Sequence, residues 1–315
     1  MNGGGSCGPT ASPDCRPLRT DPVARPGCAS ERARGPGLLC VVNVSEGRRR
    51  AVIESIAAAG GPAVLDVHSD GDHHRTVLTM GGGDLEEAVM AVARQTVALI
   101  DIRRHHGVHP RLGALDVVPF VPLDGEGSPV SGAGDLTAAV AARDRFARWA
   151  GPALDLPCFL YGPERTLPTV RKKAFVGLDP ETGPGRPHPT AGACAVGARP
   201  ALVAYNLWLS TGDLDVATSI AAAVRGPAVR TLGLSTAGMT QVSCNLVDPL
   251  SVGPDQAYDA VDRLARAAGT SISRAELVGL APAVVVAAAP RARWKQIGLD
   301  PERTVEARLE RAGRS

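Results

Sequence analysis

Aromatic side chains are scarce in this chain: four Phe, three Tyr and three Trp make up 3% of 315 residues. Its cores must therefore be built from Ala, Val and Leu. Few rings are left to stack on bases, which argues against a single-strand nucleic-acid binder. Charge of one sign is missing too. Lys and Arg number 34 against 32 Asp and Glu, a formal net charge of +2. No global basic field exists, so an anionic ligand must be met by a local patch. There is no run of eighteen apolar residues and no apolar signal-type segment at the N-terminus, so no membrane association and no secretion are expected. Seven cysteines, at 7, 15, 28, 40, 158, 194 and 244, are odd in number and too widely spaced for a zinc knuckle or a disulfide framework. Scattered free thiols suit a reducing compartment, and a cytoplasmic location is the expectation.

What is present reads as two repeats of one pattern. Hydrophobic content of 44% and charged content of 21% are those of a globular protein long enough for two domains. Residues 1–36 hold six Gly and six Pro but only Leu18 and Val23 as large aliphatics. Such a segment cannot offset its ordering entropy and reads as a disordered tail. Order begins with a buried strand at 38–44. Ser45 is the expected N-cap of a helix to Ala59, stopped by Gly60-Gly61-Pro62. Strands follow at 63–67 and 75–80. Asp84 and Glu87 suggest a capping box for a helix reaching about Arg103. The next strand, 114–121, contains Pro119, which predicts a sheet edge or a strand end. The order is βαββαβ, a ferredoxin-like unit. A helix at 136–149 and a strand at 157–161 extend it, and residues 162–198, rich in Pro, Gly and basic side chains, read as a long connection. Strand 201–209, helix 214–224, strands 229–234 and 241–246, helix 255–268 and strand 271–277 then repeat the order, with a hairpin turn at 236–238. Beyond Pro282 come an apolar helix and a charged stretch. The expected fold is α/β (α+β): two ferredoxin-like modules with a ligand cleft between them. The expected boundaries are a tail at 1–36, an N-terminal subdomain at 37–165, a connecting segment at 166–198 and a C-terminal subdomain at 199–315.

Chemistry concentrates in Arg104-His105-His106-Gly107-Val108-His109-Pro110-Arg111-Leu112-Gly113-Ala114-Leu115-Asp116, between a helical and a strand pattern. Six of the seven histidines lie from His68 to His109. As metal ligands, His105 and His109 would need a helix, with His73 or His74 completing the shell, but Gly107 and Pro110 oppose that helix. As an acid–base group, one imidazole need only reach a proton, and His109 beside Pro110 is the choice. Solvated loop positions are the bland reading for His74 and His106. The Gly81-Gly82-Gly83-Asp84 turn lacks a P-loop Lys, and Arg48-Arg49-Arg50 reads as an exposed helix face. Arg171-Lys172-Lys173, in a long connection, is either surface charge or a carboxylate attractor.

Several of these stretches resemble the glutamate formiminotransferase family. They are Cys40-Val41-Val42-Asn43-Val44-Ser45-Glu46-Gly47, Asp72-His73-His74-Arg75-Thr76-Val77, Gly107 through Val117, and His188-Pro189-Thr190-Ala191-Gly192 running on to Arg199 and Tyr205-Asn206. Gln241 through Leu246 also matches, and the whole resemblance spans about residues 38–285. It implies transfer of a formimino group from N-formimino-L-glutamate to tetrahydrofolate as co-substrate, with no metal, and a folate tunnel between the subdomains. The family's catalytic histidine maps onto His109, and its folate-contacting loop onto Gly183 through Gly192, including Pro184, His188 and Pro189. Asp66 or Asp116 would orient the imidazole. Asn43 falls in a matching stretch, and Arg75, Arg111 and Arg199 would meet the carboxylates of substrate and folate. The partners implied are small molecules, with a homodimer possible. No cyclodeaminase region is expected.

Departures from the family pattern fall at His68, His74, Val108 and Lys173-Ala174. They leave three alternatives: a formyl transferase on the same folate site, a folate-binding protein without catalysis, or a metal-dependent hydrolase built on the histidine cluster.

Overall fold

Described by a computed structural model are residues 37–313 other than Ala133 and Ala237, together with Met1. The expected disordered tail at 1–36 lies outside the described residues apart from Met1. The first module runs β1 (Leu38–Val44), α1 (Arg50–Ala59), β2 (Val64–Asp70), β3 (Arg75–Gly81), α2 (Leu85–Leu99) and β4 (Leu115–Pro122). Its strands lie in the order β2-β3-β1-β4, and the expected βαββαβ unit is present. Apolar residues at alternate positions on β1 and β3 (Cys40, Val42, Leu78, Met80) meet the buried faces of α1, α2 and α3 (Thr137–Leu154).

Four local readings need correction. Ser45 does not cap α1, which starts at Arg50. The Ser45 hydroxyl instead donates to the Gly113 carbonyl (2.7 Å), and the buried Glu46 carboxylate takes the Arg48 and Arg49 N–H groups. Asp84 is the N-cap of α2 but its side chain makes no capping hydrogen bond, so the expected capping box with Glu87 does not form. α2 ends at Leu99, because Ile102 N–H is taken by the Thr190 carbonyl (2.7 Å) and residues 102–104 wind into a 3₁₀ turn. Pro119 lies inside a central strand, not at an edge. β4 pairs antiparallel with β1 and parallel with β6 (Cys194–Ala198), where Pro119 faces Gly197 across a ladder that loses only one donor.

That last strand also revises the connecting segment. Residues 166–198 supply α4 (Leu167–Lys173) and β6, which inserts between β4 and β5 (Cys158–Tyr161) to complete a six-stranded sheet. Cys194-Ala-Val-Gly-Ala carries one β-branched residue, too weak a pattern to read as a strand, yet every position in it is buried.

The second module repeats the first: β7 (Val203–Leu209), α5 (Leu214–Val224), β8 (Val229–Thr236), β9 (Met239–Leu246), α6 (Pro254–Ala267) and β10 (Ile272–Val278), in strand order β10-β7-β9-β8. Tyr205, Leu207, Val242 and Cys244 pack on α5 and α6. Strand alternation therefore turns Trp208, Gln241 and Ser243 to the opposite face. Past β10 the expected apolar helix is α7 (Ala283–Ala288), and the charged stretch forms a helix of its own, α8 (Val305–Gly313). α8 returns to the first module, where Val305 joins Leu39, Leu65 and Val121 in a small shared core.

Candidate active site

Two glycines hold the histidine loop in place. A Cβ on Gly113 would come under 3.0 Å from the Ala191 and Ala193 carbonyl oxygens, and one on Gly107 would do the same at the His73 carbonyl. Loop 105–113 is thus wedged between the 188–193 loop and the β2–β3 turn. Backbone bonds lock it there, from Ala114 N–H to Ala191 O (2.8 Å) and from Ala193 N–H to Leu112 O (3.2 Å). Gly113→Ala is expected to lower stability by about 2 kcal/mol through overpacking. Urea denaturation checks this, and an unchanged midpoint would show that the loop can yield.

The loop delivers its residues to a buried charge cluster at the start of β4. Asp116 is fully buried, and its carboxylate accepts from Arg75 Nη1 (2.6 Å), Arg171 Nη2 (2.7 Å) and the Leu112 N–H (2.6 Å). Asn43, on β1, aims Arg75 by accepting from its Nε at 3.1 Å. Burial opposes the charge on Asp116, but the two guanidiniums and the Leu112 N–H keep its carboxyl below the usual carboxylate range. Two cations against one anion leave a surplus positive charge. Arg171 Nε is buried with no partner among the described residues.

His109 lies in that field. Burial first, then Arg75 and Arg171, hold its imidazole well below the ordinary histidine range, and Asp116 and the Pro110 carbonyl pull the other way without prevailing. The ring is therefore neutral at pH 7. Its Nδ1 is 2.8 Å from the Pro110 carbonyl oxygen, an acceptor only, so the proton sits on Nδ1 and Nε2 carries the free lone pair. A neutral, oriented imidazole of this kind can take a proton and return it.

The other histidines divide by role. His73, buried in the β2–β3 turn, has its ring centroid 5.8 Å from that of His109, and its Nε2 meets Gln241 Oε1 of the second module at 3.0 Å. Gln241 is fully buried and its amide nitrogen has no partner among the described residues. An unmet donor of this kind costs about 1–3 kcal/mol, so stability alone would favour an apolar side chain there. His74 and His105 stack with centroids 4.1 Å apart. His74 Nδ1 accepts the Gly47 N–H, His105 Nε2 donates to the His74 carbonyl, and burial pushes His105 down to about 4. This pair braces the turn. His105 follows a 3₁₀ turn and His109 lies in a bend, so the helical i, i+4 metal pair does not form.

Among the expected site residues, Asn43, Arg75, Asp116 and His109 are brought together. Arg111 adjoins them, but its guanidinium is bound to the carbonyls of Gly107 and His109. Asp66 is a correction: its carboxylate lies 3.8 Å from Arg308 of α8, and Asp116 stands in the cluster instead. Arg199 is likewise turned away from the cluster, against Tyr161 and the Pro200 carbonyl. Gly183 (φ +83°) is pressed on the Leu156 carbonyl, with Pro184 beside it, far along the loop from its other end. That end does reach the site. His188 Nδ1 accepts from Ala191 N–H (2.9 Å), Pro189 lies in the turn it closes, and Gly192 bridges to Gly113. Sequence reading missed Gln241 as a site residue, since only strand register shows that it leaves the core of its own module.

A cavity of about 610 Å³ opens beside the loop, lined by Arg48, Asp72, His106, Val108 and Arg111 of the first module and Ser235 of the second. Both modules thus contribute walls. Among the described residues no group of three or more His, Cys, Asp and Glu is gathered as for a metal, and no helix is long and apolar enough to cross a membrane.

Residues 37–199 match the model of the formiminotransferase domain, N-terminal subdomain, a segment that ends just after β6. The chain is 35% identical over 274 residues to the glutamate formimidoyltransferase of Streptococcus pyogenes serotype M1, covering 78% of this chain and 88% of that protein. It is 31% identical over 306 residues to the glutamate formimidoyltransferase of Thermoplasma acidophilum, covering 87% and 97%. The formimidoyltransferase-cyclodeaminase of Sus scrofa is 33% identical over 276 residues, which is 77% of this chain and 50% of that protein.

Proposed function

The chain belongs to the formiminotransferase family and is a transferase of the glutamate formimidoyltransferase kind, and we propose that it moves the formimino group of N-formimino-L-glutamate to N5 of tetrahydrofolate, with His109 as the general acid–base group. The supporting observation is the neutral imidazole with a free Nε2, set against a buried Arg75–Asp116–Arg171 cluster.

Each proton has a place to go. N5 attacks the amidine carbon, and His109 Nε2 takes the proton that the amine sheds. The resulting imidazolium is poorly tolerated beside the surplus positive charge of the cluster, so it returns the proton readily. The glutamate nitrogen receives that proton as the carbon–nitrogen bond breaks, giving glutamate and 5-formimino-tetrahydrofolate. The transferred carbon keeps its oxidation state, so no electron carrier enters the balance. Arg75 and Arg171 are committed to Asp116, which leaves Arg48 and Arg111, on the cavity wall, to meet substrate carboxylates. The folate occupies the cleft between the modules, whose boundary we place after β6, in line with the end of the family match.

Incubating purified protein with tetrahydrofolate and N-formimino-L-glutamate tests this reading, with glutamate release and the 5-formimino-folate absorbance followed together. Turnover with this donor, and little with N-formyl-L-glutamate, is the expected result. Turnover only with the formyl donor would replace the formimino reading, and folate binding without turnover would replace catalysis.

A further inference from the structure

We propose that Gln241 is a positioning residue for the transfer: reaching from the second module, it acts through His73 to hold the His109 imidazole in its working orientation. This assignment rests on the acid–base role of His109 given above. One hydrogen bond, Nδ1 to the carbonyl of the adjacent Pro110, restrains the His109 ring within its own loop. A single bond to a neighbouring residue leaves a ring free to swing, and a wall is needed to stop it. His73 supplies that wall, its ring tilted 45° to that of His109 at 5.8 Å.

His73 is itself held at two points. Its backbone N–H donates to Asp70 Oδ1 (2.8 Å), which fixes the turn, and its Nε2 meets Gln241 Oε1 (3.0 Å), which fixes the ring. With the amide oxygen facing it, His73 carries its proton on Nε2. Ring and amide are both buried, 6% and 0% exposed, and they lie 168 residues apart in the chain. The contact therefore exists only when β9 of the second module is seated over the β2–β3 turn of the first. An amide kept here at the expense of an unpaired buried nitrogen is explained by what its oxygen does. The consequence is that module docking and alignment of the acid–base group are one event.

Four measurements test it on the full chain. Gln241→Leu is expected to lower kcat on the order of tenfold, a loss of alignment, while the KM of each substrate stays within about twofold. Gln241→Glu, which keeps an acceptor for the Nε2 proton, should recover most of that loss. In a His73→Phe background, Gln241→Leu should add nothing, because its route to His109 is already cut. Additive losses in that cycle would overturn the proposal, as would a KM rise matching the fall in kcat. Nitrogen-15 NMR of the imidazoles gives a readout independent of turnover: His73 should be protonated on Nε2 in the wild type and lose that preference in Gln241→Leu. Protonation on Nδ1 would also overturn it. A fully active His109→Ala enzyme would instead remove the acid–base reading, whatever the state of the His73 ring.

Discussion

His109→Ala is expected to lower kcat with N-formimino-L-glutamate and tetrahydrofolate by about a hundredfold or more, the usual scale for losing general acid–base catalysis. Stability should change little, because the one hydrogen bond its ring makes among the described residues is to the adjacent Pro110. The pH profile carries a second, independent expectation. In the folded enzyme the His109 pKa is lowered well below 6.5, by burial and then by Arg75 and Arg171. The neutral, proton-accepting form therefore persists as pH falls through 6.5 and is lost only below it. An acid limb of kcat/KM with its midpoint at or above 6.5 would contradict the assignment, and so would full activity in the alanine variant. In Arg171→Met one of the two neighbouring cations is gone, so the limb should move toward higher pH.

Asp116→Ala should cost about 3–5 kcal/mol of folding stability, the range for removing one partner of a buried ion pair. The reason is what stays behind. Arg75 and Arg171 both point at the Asp116 carboxylate, so without it two guanidiniums face one another with reduced access to water. The Leu112 N–H loses its acceptor as well, which loosens the loop that carries His109. Chemical denaturation followed by circular dichroism measures the loss, and a cost below 1 kcal/mol would mean that solvent enters and rescues the cluster. The sign of the wild-type pH dependence follows from the same geometry. The Asp116 pKa is lower folded than unfolded, so its stabilising contribution is complete above 3.8 and is lost as pH falls through the folded value.

How much of this was legible depends on whether the signal was local. Strand β1 and helix α5 carry dense apolar patterns, and their observed bounds, Leu38–Val44 and Leu214–Val224, are those expected from the sequence. The βαββαβ order of both modules was readable for the same reason. The failures occur where a local preference met a stronger distant partner. Ser45 is a good cap in isolation, but the Gly113 carbonyl, 68 positions away, claims its hydroxyl. Pro119 reads as an edge or a strand end, but β6 pairs with β4 there, with Gly197 opposite the proline. β6 itself carries too little pattern to be seen before its neighbours are in place.

The candidate site divides along the same line. His109, Arg75, Asn43 and Asp116 stand in stretches that resemble the family's motifs, whereas the choice of Asp116 over Asp66 as partner of the cluster does not show in the chain. By itself the sequence determined two α/β modules, a candidate imidazole beside a proline and membership of one transferase family, because periodicity and motif are properties of neighbouring residues. Only the tertiary structure decided which carboxylate is buried between two arginines, that the imidazole is held neutral, and that Gln241 reaches across to His73. Those depend on distance and desolvation between residues far apart in the chain, and neither exists until the strands are in register and the modules have closed.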